Sequence, residues 1–144
     1  MSEKQYESIL NDFGRSDTFS EKNHVRIVKV EPGHVWGELD VTSDTLNYGG
    51  MVHGGALATL ADVSSGCCAC STGGRGVTAG FSMEYLRPAV GEKIFCEATA
   101  VKMGSSLSVI QIAMKNEKDV LVATGTFTFF MLKAGEKEKK GKQP

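Results

Sequence analysis

Residues 54–71, GGALATLADVSSGCCACS, carry a single charge, Asp62, and no other Asp, Glu, Lys or Arg falls between Thr45 and Gly74. Alanine and leucine favour a helix here, and the glycine pair Gly73-Gly74 ends it. Such a helix is apolar nearly all round, so it must be wrapped by other structure rather than lie on a surface. The lone acid is the second constraint. An unpaired carboxylate taken out of water costs several kcal/mol or changes its protonation. The rest of the chain must therefore supply both a wrapping for the helix and a reason for Asp62.

The wrapping reads as a sheet. Residues 24–30 and 35–41 alternate apolar and polar around Pro32-Gly33, which predicts a hairpin. Four more strands are predicted over roughly 76–86, 92–102, 106–115 and 119–131, rich in β-branched and aromatic residues. Short connections imply antiparallel pairing. Residues 2–13 read as a short amphipathic helix with Tyr6, Ile9, Leu10 and Phe13 on one face. The expected fold is α+β: a curved antiparallel sheet around one long central helix, a single domain over 1–132. A charged tail, 133–144, is expected to be disordered. One sheet covers one side of such a helix, so a second subunit is expected on the other.

Composition narrows the function. With 144 residues, 41% hydrophobic, 23% charged and a net charge of −1, the chain lacks the basic balance of a nucleic-acid binder. The polar, acidic N-terminus carries no signal-peptide pattern and no run of 18 apolar residues exists, so a cytoplasmic location and no membrane span are expected. Cys67, Cys68, Cys70 and Cys96 are expected to be small buried side chains in a reducing compartment. Neighbouring cysteines on one helix pair poorly and offer no zinc geometry, so no metal is expected.

The candidate chemistry clusters around the helix start. Gly54 and Gly55 sit where the first N–H groups of the helix lack intrahelical partners. With no side chain at Gly54, a ligand oxygen can approach those groups, and the helix dipole adds attraction. That is the layout of an oxyanion hole. The same glycines also suit a tight turn, and the residues alone leave both readings open. His53 reads as a base, a ligand or a structural group, and a lone histidine beside glycines is more often the last, bonding the loop and holding Gly54 in place. Asn47 either orients the loop or binds a carbonyl. Asp62 is either a buried capping acid or a catalytic carboxylate made more basic by partial desolvation. Gly54 and Asp62 are eight residues apart, about 12 Å along a helix axis, too far to touch one reacting carbon. If both act, they come from different subunits of a twofold dimer with two equal sites.

Asn47, Gly50, His53-Gly54-Gly55 and Asp62, followed by Tyr85-Leu86-Arg87-Pro88-Ala89 and Gly91-Glu92, resemble the hotdog-fold acyl-CoA thioesterases. The likeness is to the phenylacetate-pathway and acyl-CoA thioesterase 13-like branch, and runs from about Val35 to Met131. The resemblance implies that Asp62 is nucleophile or general base and that the Gly54 N–H polarises the thioester carbonyl. It further implies that Asn47 positions that carbonyl, that Thr78 orients the acid or water, and that His53 is structural or a carbonyl helper. It places coenzyme A along Gly55, Gly80, Tyr85, Leu86, Arg87, Pro88, Lys102, Met103, Gly104, Ser105 and Ser106, at a subunit interface. No cofactor beyond the substrate's own coenzyme A is implied, and a dimer of dimers is expected. Met51 and Met83, with Leu57 a weaker candidate, are expected to line the acyl tunnel, which admits aromatic or medium- to long-chain acyl groups. The alternatives are an enoyl-CoA hydratase pairing Asp62 with His53, and a non-catalytic acyl-CoA sensor.

Overall fold

The computed structural model describes residues 2–13 and 19–133. The expected tail, from residue 134 onward, lies outside them. Helix α1 (Glu3–Phe13) is followed by a short α2 (Phe19–Lys22), the hairpin β1 (Val25–Glu31) and β2 (His34–Asp40), and the long α3 (Gly54–Ala69). Strands β3 (Arg75–Tyr85), β4 (Lys93–Met103), β5 (Leu107–Asn116) and β6 (Leu121–Leu132) complete the chain. The short α2 and a 3₁₀ turn at Ser43–Thr45 have no periodic signal and were not expected from the sequence.

The six strands form one antiparallel sheet in the order β1-β2-β4-β5-β6-β3. Strand β3 pairs with β6 and not with its chain neighbour β4. The segment after Tyr85 is therefore a crossing from one edge of the sheet to its middle rather than a hairpin turn. Three connections are tight. Gly33 turns the first hairpin at φ +72°, and its N–H donates to Ser71 Oγ at 2.8 Å, tying that turn to the end of α3. α3 ends at Ala69 with Cys70 as its cap, and Gly73 and Gly74, at φ +89° and +140°, turn the chain beyond it into β3 in the backbone region that favours glycine. Asn116 Oδ1 accepts the N–H groups of Lys118 and Val120 and closes the β5–β6 turn.

Helix α3 buries Leu57, Leu60, Ala61, Ser64, Cys67 and Cys68 against the concave sheet face, where Val35, Leu39, Ile94, Ile110, Met114 and Phe127 lie. Helix α1 lays Tyr6, Ile9, Leu10 and Phe13 on the same core, spaced i, i+3, i+4 and i+7. Helix and sheet approach most closely at Gly37. A Cβ there would overlap Ser64 Oγ and come within 3.2 Å of Leu60 Cδ1. Gly37→Ala is expected to destabilise the fold by about 1–3 kcal/mol, the cost of overpacking a filled core. Urea denaturation checks it, and an unchanged midpoint would show that α3 can shift at no cost.

The coverage of α3 is uneven, as its composition requires. Ala58, Thr59, Asp62 and Val63 stay half-buried on the side away from the sheet. Strand β3 forms an edge, with Val77, Phe81 and Tyr85 exposed by 45, 55 and 52%. No helix of the described residues is long and apolar enough to cross a membrane.

Candidate active site

The loop before α3 folds on Asn47. Its Oδ1 accepts the N–H groups of Gly49 (2.9 Å) and Met51 (3.2 Å), and its backbone N–H donates to Met51 O at 2.7 Å. Asn47 thus shapes the loop that delivers His53, and Gly50, at φ +77°, makes its turn. His53 is the N-cap of α3. Its Nδ1 accepts the Gly55 N–H at 2.8 Å, so the ring proton of the neutral imidazole sits on Nε2. The backbone N–H of His53 donates to Thr45 O at 2.8 Å.

These bonds leave the Gly54 N–H without a partner among the described residues, at the positive end of a sixteen-residue helix. The Gly54 carbonyl is fixed from the other side. Tyr85 Oη donates to it at 2.9 Å, and a Cβ at Gly54 would meet the Tyr85 ring at an ordinary 3.6 Å. Burial pushes the Tyr85 phenol above its ordinary value, so it remains a donor through neutral pH. The resemblance had suggested Tyr85 as a coenzyme A contact; here its hydroxyl is engaged in holding the helix start.

Two turns further along α3, Asp62 is half-buried rather than sealed in the core. Thr78 Oγ1, from β3, donates to Asp62 Oδ1 at 2.7 Å. The pair opens into a cavity of about 320 Å³ walled by Val63, Gly66, Val77 and Phe129, and by Asp12 and Phe13 of α1. The reach of α1 to this cavity was missed in the sequence. Its four apolar positions signalled packing but not against what. Met51 and Met83, expected in the acyl tunnel, belong to the Gly54 end, and Leu57 is buried in the core.

The residues expected around coenzyme A fall into two groups. Tyr85–Pro88 lie at one end of β3, where the Leu86 N–H donates to Val122 O and Arg87 Nη1 donates to Leu121 O at 2.9 Å. Lys102, Met103, Gly104, Ser105 and Ser106 form the end of β4 and its turn into β5, where Gly104 N–H donates to Leu107 O. On β6, Ala123 pairs with Tyr85 and Phe130 pairs with Leu107. The seven steps from Ala123 to Phe130 span about 23 Å at strand rise. Gly80 lies between the groups, exposed beside a bulge in β3. One chain therefore carries Gly54, Tyr85 and Arg87 at one end of its sheet edge, and Asp62, Thr78 and the 104–106 turn towards the other. It does not bring them together.

The four cysteines are free thiols away from this chemistry, with Cys67, Cys68 and Cys96 buried. Burial pushes Cys68 and Cys96 up to about 12, which keeps them protonated and unreactive. Among the described residues no three His, Cys, Asp or Glu side chains gather as a metal site would require.

A curved antiparallel sheet around a central helix, with a glycine-flanked helix start and an acid two turns along, defines the hotdog class. Residues 49–123 match the thioesterase superfamily, and the chain belongs to that family. It is a thioester hydrolase. Human acyl-coenzyme A thioesterase 13 is 32% identical over 108 residues, covering 72% of this chain and 77% of that one. A hypothetical thioesterase protein from Streptococcus pneumoniae, solved with coenzyme A, is 32% identical with a TM-score of 0.77, covering 85% of this chain and 96% of that one. PaaI of Escherichia coli, at 21% identity, shares the fold with a TM-score of 0.83 over 90% of this chain and 95% of its own.

Proposed function

We propose that the chain hydrolyses the thioester of an acyl-CoA in two equal sites built across a twofold dimer. The observation that carries this reading is the unpartnered Gly54 N–H at one end of an exposed edge strand, with the Asp62–Thr78 pair towards its other end. Two β3 strands paired antiparallel about a point near Phe81 would set residue 78 of one chain opposite residue 84 of the other. Each Asp62 would then face the α3 start of its partner, and the exposed Val77 and Phe81 would be covered. The 104–106 turn of one chain would likewise meet the Tyr85–Pro88 segment of the other, reuniting the two halves of the coenzyme A surface.

In that site the thioester carbonyl oxygen lies on the Gly54 N–H, which is free to stabilise the negative charge that develops there. Asp62 of the facing chain attacks the carbonyl carbon or takes a proton from an attacking water. Coenzyme A leaves as the thiolate, and water supplies the second oxygen of the free acid. Thr78 keeps the attacking carboxylate in one rotamer. His53 and Asn47 hold the loop through Nδ1 and Oδ1, which leaves the His53 Nε2–H and the Asn47 side-chain amide N–H as donors toward the thioester carbonyl.

Mixing two inactive chains tests the shared site. Asp62→Asn and Gly54→Pro chains, unfolded and refolded together, form hybrid dimers with one intact site and one doubly damaged site. Thiol release from acyl-CoA is expected to return to about a quarter of the wild-type rate, since half of random dimers are hybrids with one working site each. A mixture no more active than its components would exclude sites shared between chains.

A further inference from the structure

Helix α3 begins on Gly54 and Gly55, two residues with no side chain to restrict their backbone. Hydrogen bonds supply the restraint instead. The His53 carbonyl accepts the N–H groups of Ala56 at 2.9 Å and Leu57 at 3.2 Å. Two further bonds act on a single peptide unit, the one that joins Gly54 to Gly55. Its carbonyl accepts from Tyr85 Oη at 2.9 Å, and its N–H donates to His53 Nδ1 at 2.8 Å. Tyr85 reaches across from a fixed base. It pairs with Ala123 in the sheet, and the Leu86 N–H that follows donates to Val122 O at 2.8 Å. Further along the crossing, Ala89 O accepts the Val52 N–H at 2.9 Å, which ties this segment to the loop before α3.

We propose that Tyr85 is a positioning residue for the reaction: by holding the Gly54 carbonyl, its hydroxyl aims the free Gly54 N–H at the thioester oxygen. The inference rests on the hydrolase reading, which makes that N–H the oxyanion donor. Tyr85 acts through the glycine and not on the substrate. The Gly54 N–H and carbonyl sit on either side of one Cα, about which a glycine turns freely. Tyr85 and His53 pin the peptide after that Cα, and the bonds to the His53 carbonyl pin the peptide before it. The N–H between them is left with one direction, as stabilisation by a preorganised donor requires. Errors of about 1 Å in such a placement are costly. The base of this strut is the edge strand itself. In the proposed dimer, residue 85 of one chain falls opposite residue 77 of the other. The strand that brings the facing Asp62 into place therefore also sets the amide it works against.

The test is a double-mutant cycle on the full chain, read as thiol release from an acyl-CoA. Tyr85→Phe deletes the hydroxyl and keeps the ring, and Tyr85 is 52% exposed, so the fold is retained. In the wild-type background Tyr85→Phe is expected to lower kcat about tenfold with KM unchanged. In the Gly54→Pro background residue 54 has no N–H to aim, and the same substitution is expected to change kcat by less than twofold. A role in stability alone would lower the rate by one factor in both backgrounds. Equal factors, or a Tyr85→Phe chain with the wild-type kcat, would overturn the inference. A loss confined to KM would also overturn it, and would make Tyr85 the coenzyme A contact that the resemblance implied. The two readings fail differently. A Gly54→Pro chain as active as the wild type removes the oxyanion donor and the positioning role with it. A large Gly54→Pro loss with an equal Tyr85→Phe factor in both backgrounds keeps the donor and rejects Tyr85 alone.

Discussion

Asp62→Asn is expected to lower kcat by about a thousandfold, within the range a positioned acid or base supplies, while the melting temperature moves by no more than a few degrees. The expectation of an intact fold comes from the geometry. Asparagine keeps the carbonyl oxygen that accepts from Thr78 at 2.7 Å, and it keeps the volume of the side chain. Asp62 makes no ion pair among the described residues, so removing its charge strands no buried cation. What is lost is the negative oxygen facing the cavity, and with it the nucleophile or base that the proposed mechanism requires. KM should change little, because the carboxylate is expected to act on the carbonyl carbon rather than to hold coenzyme A. Steady-state thiol release and a thermal melt on the same preparation check both halves. Turnover within a few-fold of the wild type would return Asp62 to the status of a capping acid and remove the chemistry from this cavity.

The fold was legible because its strongest signals are local. An eighteen-residue apolar stretch, flanked by glycines and strands of alternating polarity, leaves few arrangements, and the sheet around a central helix is what the chain adopts. Strand order was less legible. β3 lies at the edge because it pairs with β6, nearly fifty residues away, and nothing in its own residues names that partner. Asn47 and His53 were each read from sequence as loop-holding or as contacts to a carbonyl, and the structure shows the loop-holding bonds, made by Asn47 Oδ1 and His53 Nδ1. Tyr85 was read as a ligand contact because its segment resembles one. Its bond to the Gly54 carbonyl depends on the crossing after β3, which sequence spacing does not reveal. The role of α1 was hidden for the same reason. Amphipathic spacing states that Phe13 is covered, and only the tertiary structure states that it also walls the cavity at Asp62.

Gly54→Pro is expected to lower kcat by about a hundred- to a thousandfold, the loss that follows removal of one oxyanion donor. The substitution suits this position unusually well. Gly54 is the first residue of α3, where proline is tolerated because the N–H it lacks has no intrahelical partner. The preceding residue must be extended, and His53 already is, at φ −59° and ψ 136°. Helix, cap and loop can therefore persist while a single hydrogen is deleted. Gly54→Ala is the control, because it retains the N–H and its methyl meets the Tyr85 ring at an ordinary 3.6 Å. The ratio of the two rates isolates the donor from the added bulk. A proline chain as active as the alanine chain would show that the carbonyl oxygen rests elsewhere. The glycines would then serve only the turn, and the free amide at the start of α3 would have no part in the reaction.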